Sequence, residues 1–61
     1  MDARASLRSI GYDVEVEQEA DDLYWCHLIS LASGSRVPSY GRGSTEQGAI
    51  DRAWRRYQEE Q

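Results

Sequence analysis

Polar and apolar positions alternate without a break from Tyr12 to Glu19, with Tyr12, Val14, Val16 and Gln18 set against Asp13, Glu15, Glu17 and Glu19. A period of two with β-branched residues predicts a strand with one buried face and one wet face. The wet face is entirely acidic. Ala20-Asp21-Asp22 reads as a turn. From Leu23 to Ala32 apolar side chains fall on both sides, Tyr24, Cys26 and Leu28 on one and Trp25, His27, Ile29 and Leu31 on the other. Two apolar faces predict a central strand. A three-residue turn sets Val16 opposite Cys26 and Val14 opposite Leu28, whereas a two-residue turn flips that parity. Ser33-Gly34-Ser35 reads as a second turn, and Arg36 to Gly41 as a shorter third strand. Pro38 has no N–H for a ladder, which assigns that strand to an edge.

The period then changes. Ala49, Ile50, Ala53, Trp54 and Tyr57 recur every three to four residues and draw one stripe along a helix running from Gly43 to Glu59. Trp54 takes the centre of that stripe, facing the sheet. Ser44 or Thr45 supplies the N-cap, and Ser44 with Gln47 has capping-box spacing. Gly48 weakens the first turn by about 1 kcal/mol relative to alanine. On the outer face Asp51, Arg55 and Glu59 stand four residues apart, a spacing that pairs opposite charges. Residues 1–10 leave two readings open: a short helix capped by Asp2 and bearing Ala5 and Leu7, or a frayed end. Gly11 breaks whatever precedes it. The expected fold is α+β: residues 1–61 form a single small domain, a three-stranded antiparallel β-meander packed against one C-terminal helix (β-β-β-α), with the short N-terminal helical turn as an open addition.

Sixty-one residues bury only a small core, so stability must come from good packing or self-association. The one cysteine, Cys26, cannot close an intramolecular disulfide, and with the one histidine it supplies too few ligands for a structural zinc. No metal or cofactor is expected. A lone thiol favours a reducing compartment, and no apolar run has the length of a signal peptide or membrane span, so the expected location is cytoplasmic. The net charge is −4, where a general nucleic-acid binder is usually basic. Charge is also segregated. Six acids and no base lie between Asp13 and Asp22, five arginines against Glu46 and Asp51 lie between Arg36 and Arg56, and lysine is absent. Such a dipolar chain suits steered binding to another protein.

Two stretches carry a resemblance. Gly43-Ser44-Thr45-Glu46-Gln47-Gly48-Ala49 is similar to the helix start of HicB-like antitoxin domains, and Tyr24-Trp25-Cys26-His27-Leu28 looks like an earlier strand of that family. The resemblance spans roughly Tyr12 to Tyr57. It implies the meander-and-helix fold and a role in neutralising a nuclease toxin. Gly48 stands where the family usually has a second Glu, and the Pro that often closes the second strand is missing. No ribbon–helix–helix or helix-turn-helix segment follows, so operator binding is not implied. The layout also resembles the second half of a double-stranded-RNA-binding domain. There paired lysines open the last helix; Thr45, Glu46 and Gln47 stand here, so the resemblance implies a fold without RNA binding.

The candidate chemistry is sparse. Cys26 and His27 are adjacent on a strand and point to opposite faces, so they cannot act as nucleophile and base, and Cys26 reads as a small core residue. Gly41-Arg42-Gly43-Ser44-Thr45 lacks Walker spacing and a following Lys, and turn geometry alone accounts for its glycines. Arg52, Arg55 and Arg56 suit a phosphate backbone, an acidic partner or plain solvation. Trp25, His27, Ile29 and Leu31 form an apolar strip that either the N-terminal segment or a partner covers. The acidic ladder is the most specific feature: alternate strand residues lie about 6.6–6.8 Å apart, a row of charge similar in kind to a nucleic-acid backbone. Like charges two residues apart oppose folding, which argues for a use in binding. No catalytic residue is expected. Asp13, Glu15, Glu17, Glu19, Asp21, Asp22 and Trp25 are the expected partner-binding residues. The expected function is a non-catalytic inhibitor acting by protein–protein binding. It is either a phage-type, anti-CRISPR-like mimic of nucleic acid or a HicB-like antitoxin, with a small structural or interaction module as a further alternative. The partner is a nucleic-acid-binding effector or a nuclease toxin, with no direct nucleic acid and no membrane, and the chain is a monomer or weak homodimer.

Overall fold

Five elements follow one another in the computed structural model, which describes residues 2–61: α1 (Ala3–Ser9), β1 (Tyr12–Ala20), β2 (Leu23–Ser30), β3 (Arg36–Gly43) and α2 (Glu46–Glu59). The N-terminal segment is helical, because the Asp2 carboxylate accepts the Ala5 N–H at 2.8 Å and caps it. Gly11 ends it at φ 97°, a conformation that favours glycine. The strands form one antiparallel sheet in the order β1-β2-β3, with the doubly apolar strand in the centre and the proline-bearing strand at an edge.

The β1–β2 register pairs Val14 with Leu28 and Val16 with Cys26, as expected from the sequence. The turn that produces it differs. Ala20 pairs with Leu23, so the turn proper is only Asp21-Asp22, and the unpaired Glu19 forms a bulge. The short turn alone would flip the parity; the extra residue restores it. β2 stops at Ser30 rather than Ala32, and Leu31 lies exposed in the next turn.

At its other end β3 runs on to Gly43, and α2 starts only at Glu46, capped by the Thr45 hydroxyl on the Gly48 N–H at 3.0 Å. Gly41 and Gly43 are strand residues pressed on the helix, not turn residues. A β-carbon on Gly41 would lie 2.4 Å from the Ala49 carbonyl oxygen, and one on Gly43 would lie 2.6 Å from the Ala49 nitrogen. The glycines let α2 come down close, with Ala49 and Ala53 at the points of contact. Ala49, Ile50 and Ala53 are the buried residues of the stripe. Trp54 is displaced to the rim of the core. It is half-buried and stacked on Tyr57 at 6.0 Å, and Tyr57 in turn meets Tyr12 edge-on at 6.1 Å.

α1 packs against α2 and β1 and puts Leu7, fully buried, into the same cluster as Val14, Cys26, Leu28 and Ile50. Both helices thus lie on one face of the sheet. The expected Asp51–Arg55–Glu59 pairing is not formed. Asp51 instead accepts a hydrogen bond from Gln47 at 2.9 Å, and the ion pair along α2 is Arg56 with Glu60 at 3.3 Å. Among the described residues no helix is long and apolar enough to cross a membrane.

The open face of the sheet as candidate functional site

Because both helices share one face, the other carries no covering element. Alternation places on it Asp13, Glu15 and Glu17 from β1, Trp25, His27 and Ile29 from β2, and Arg36 and Arg42 from β3. An acidic edge, an aromatic and aliphatic centre and a basic edge thus stand side by side. The N-terminal segment does not cover the strip, since α1 packs on the opposite side. Trp25 and Ile29 are half-buried by their neighbours alone, and Leu31 lies beyond the strand end.

The acidic ladder is not a row of free charges. Asp13 pairs with Arg8 at 3.4 Å, and Glu15 pairs with Arg36 at 2.8 Å across the central strand. Glu17 lies 2.9 Å from His27 Nε2, and Glu19 accepts the Trp25 indole N–H at 2.6 Å. Cross-strand partners of opposite sign or donor character offset the repulsion that an unpaired row would suffer. The bulge displaces Glu19 from the strict row, yet its carboxylate reaches back to Trp25. The carboxylates stay in reach of a partner: the side chains of Glu15 and Glu17 are 54% and 64% exposed. Asp21 and Asp22 sit exposed at the turn and make no hydrogen bond or ion pair through their side chains among the described residues. The structure therefore brings Glu15, Glu17, Glu19 and Trp25 together, with Asp13 at one end and Asp21 and Asp22 at the other.

Sequence reasoning missed His27 as the organiser of this face. It is only 4% exposed although no element covers it. Its Nδ1 accepts the backbone N–H of Ser39 at 2.7 Å. A backbone amide can only donate, so Nδ1 carries no proton, and Nε2–H donates to Glu17. With both nitrogens hydrogen-bonded, the ring braces the sheet. The signal was present: the register that pairs Glu17 with Trp25 also makes His27 and Glu17 diagonal neighbours on one face. Behind it, Cys26 is fully buried, and burial pushes its thiol up to about 11 against the opposing charge of Arg4. Such a thiol is a core group, not a nucleophile. Among the described residues no group of three or more His, Cys, Asp or Glu side chains is placed to hold a metal.

Comparison of the chain with protein-family models, with curated proteins and with solved structures yields no match.

Proposed function

We propose that this chain is a non-catalytic inhibitor that seats the open face of its sheet in the basic groove of a nucleic-acid-handling protein. One observation carries the reading: both helices lie on one side, and the uncovered side sets Trp25 and Ile29 beside a row of carboxylates of which Glu15 and Glu17 are more than half exposed. The apolar centre supplies desolvation and the acidic edge supplies steering. The ladder's internal hydrogen bonds favour this use, because carboxylates held in place lose less freedom on binding. A basic groove is the matching chemistry, since the strand presents negative charge at roughly regular intervals and the chain as a whole is acidic. Binding takes place as a monomer or weak homodimer in the cytoplasm, where the buried Cys26 thiol stays reduced.

A HicB-like antitoxin acting on a nuclease toxin is a second reading with the same contact mode. The order β-β-β-α and the Thr45 cap inside the Gly43–Ala49 run support it. Capture from a host lysate, run in parallel with three forms of the chain, tests the shared mode. Wild type and the helix variant Arg55→Gln should retain the same protein, and Ile29→Lys on the open face should lose it. Equal retention by all three forms would defeat the proposal. A captured nuclease lacking a guide-RNA or DNA-effector role would favour the antitoxin reading.

A further inference from the structure

At the far edge of the sheet from the ladder, a cleft of about 400 Å³ opens along β3, lined by Trp25 and Arg42 of the open face, by Tyr40, and by Arg52 and Arg56 of α2. That volume lies in the range of about 300–1,000 Å³ typical of small-molecule sites. Three arginines line this one cleft in a chain whose net charge is −4. Arg42 and Arg52 have no carboxylate partner among the described residues. Arg42 lies over the Trp25 ring at 5.7 Å. Arg56 is held in place: it stacks on the Tyr40 ring at 4.3 Å, donates to the Tyr40 carbonyl at 3.3 Å and pairs with Glu60.

The acceptors that could neutralise this cluster from within are already used. The Glu60 carboxylate takes the Tyr40 hydroxyl and Arg56, and the Glu19 carboxylate takes the Trp25 indole N–H. The cleft therefore offers donors and a flat aromatic wall, without a free carboxylate among its lining residues. Gathered like charges oppose folding unless a counter-anion takes them up. Guanidinium forks suit the several oxygens of a phosphoryl group, and the cavity has room for more than that group alone. The indole N–H is taken by Glu19, so what Trp25 adds is its ring, with Arg42 lying over it at 5.7 Å.

We infer that this cleft binds a phosphate monoester carrying a flat ring, of the nucleoside monophosphate kind. The phosphoryl group lies among Arg42, Arg52 and Arg56, and the ring lies against Trp25. The site does not depend on the partner reading above.

The test is an NMR titration of the ¹⁵N-labelled full chain at low salt with adenosine monophosphate, adenosine and ribose 5-phosphate. Adenosine monophosphate should produce saturable shifts at the Gly41 and Arg42 amides and the Trp25 indole, with the Trp54 indole as an internal control that stays in place. Adenosine should produce none, and ribose 5-phosphate should bind about fivefold more weakly or worse, for want of stacking. Arg52→Gln removes an exposed side chain and should weaken adenosine monophosphate about tenfold while the rest of the spectrum is unchanged. Absence of saturable shifts at millimolar nucleotide, equal binding of adenosine, or equal affinity in the variant would overturn the site. Equal binding of ribose 5-phosphate would overturn the placement of the ring on Trp25.

Discussion

The backbone N–H of Ser39 donates to Nδ1 of His27 at 2.7 Å, at the one place where the β2–β3 ladder is interrupted. Cys26 pairs with Gly41 and Leu28 with Val37, so three residues of β3, Pro38 to Tyr40, face His27 alone. Pro38 has no N–H to give, and Ser39 adopts φ 55°, a left-handed conformation costly for a residue with a β-carbon. The imidazole accepts the amide that the bulge would otherwise strand, and its Nε2–H donates to Glu17 on β1. One side chain thus ties all three strands on the face that has no helix. His27→Ala should cost about 2–3 kcal/mol, because a partly buried amide loses its acceptor. Glu17→Gln should cost less than about 1 kcal/mol, since an amide oxygen still accepts from Nε2–H. Urea denaturation of the two variants checks the order, and the Ser39 amide resonance should move only in the first.

The two glycines under α2 make a second expectation. A methyl on Gly41 would meet helix backbone and the Ala53 β-carbon, none of which can swing aside. Gly41→Ala should therefore cost about 3 kcal/mol. Gly34→Ala, in open space at φ 75°, should cost about 1 kcal/mol from backbone strain alone. Thermal or urea unfolding showing equal losses would mean that α2 does not sit this close to the sheet.

The same close approach moves the weight of the helix face from Trp54 to Ile50. Ile50→Ala empties a fully enclosed site and should cost about 2–5 kcal/mol. Trp54→Ala strips one side of a half-buried stack on Tyr57 and should cost about 1–2 kcal/mol. Calorimetry of the pair checks this, and the reverse order would put Trp54 back at the centre.

Tyr40 and Glu60 make the end of α2 sensitive to pH in both directions. Burial, then the hydrogen bond to Glu60, pushes the Tyr40 phenol from 10 up to about 12. The same bond holds Glu60 below the usual carboxylate range. A raised acid keeps its proton longer in the folded chain. Its contribution is complete below pH 10 and is lost as pH rises through about 12, since the unfolded chain releases that proton first. Glu60 works the other way: its contribution is present above its ordinary pKa and fades as pH falls. Tyr40→Phe should flatten the alkaline decline in stability between pH 10 and 12, which denaturation at stepped pH measures.

Much of this was legible in the chain. Period two at Tyr12–Glu19, two apolar faces in β2 and Pro38 in β3 specified the sheet order, while the expected β1–β2 register is reached through a different turn. The parts that were not legible depend on distance in space and not on spacing in sequence. Nothing local shows that Gly41 and Gly43 press on Ala49 rather than form a turn, and hence that Trp54 belongs at the rim. The Glu19 bulge compensates a two-residue turn, so one pairing register results from two different loops. Each ladder carboxylate read as a free charge because its partner lies on another element: Arg8 on α1, Arg36 on β3, and His27 and Trp25 on β2.

In the proposed binding mode the open face docks on its partner with charge steering from the β1 edge and the Asp21-Asp22 turn. Its most direct test is the association rate of the captured partner with wild type and with Asp21→Asn/Asp22→Asn, over a range of salt. Those two acids make no side-chain pair among the described residues, so their removal leaves the folded chain as it was. The wild-type on-rate should fall steeply with added salt, and the variant's should be lower and flatter, with dissociation nearly unchanged. Identical rates and identical salt dependence in the two proteins would contradict it.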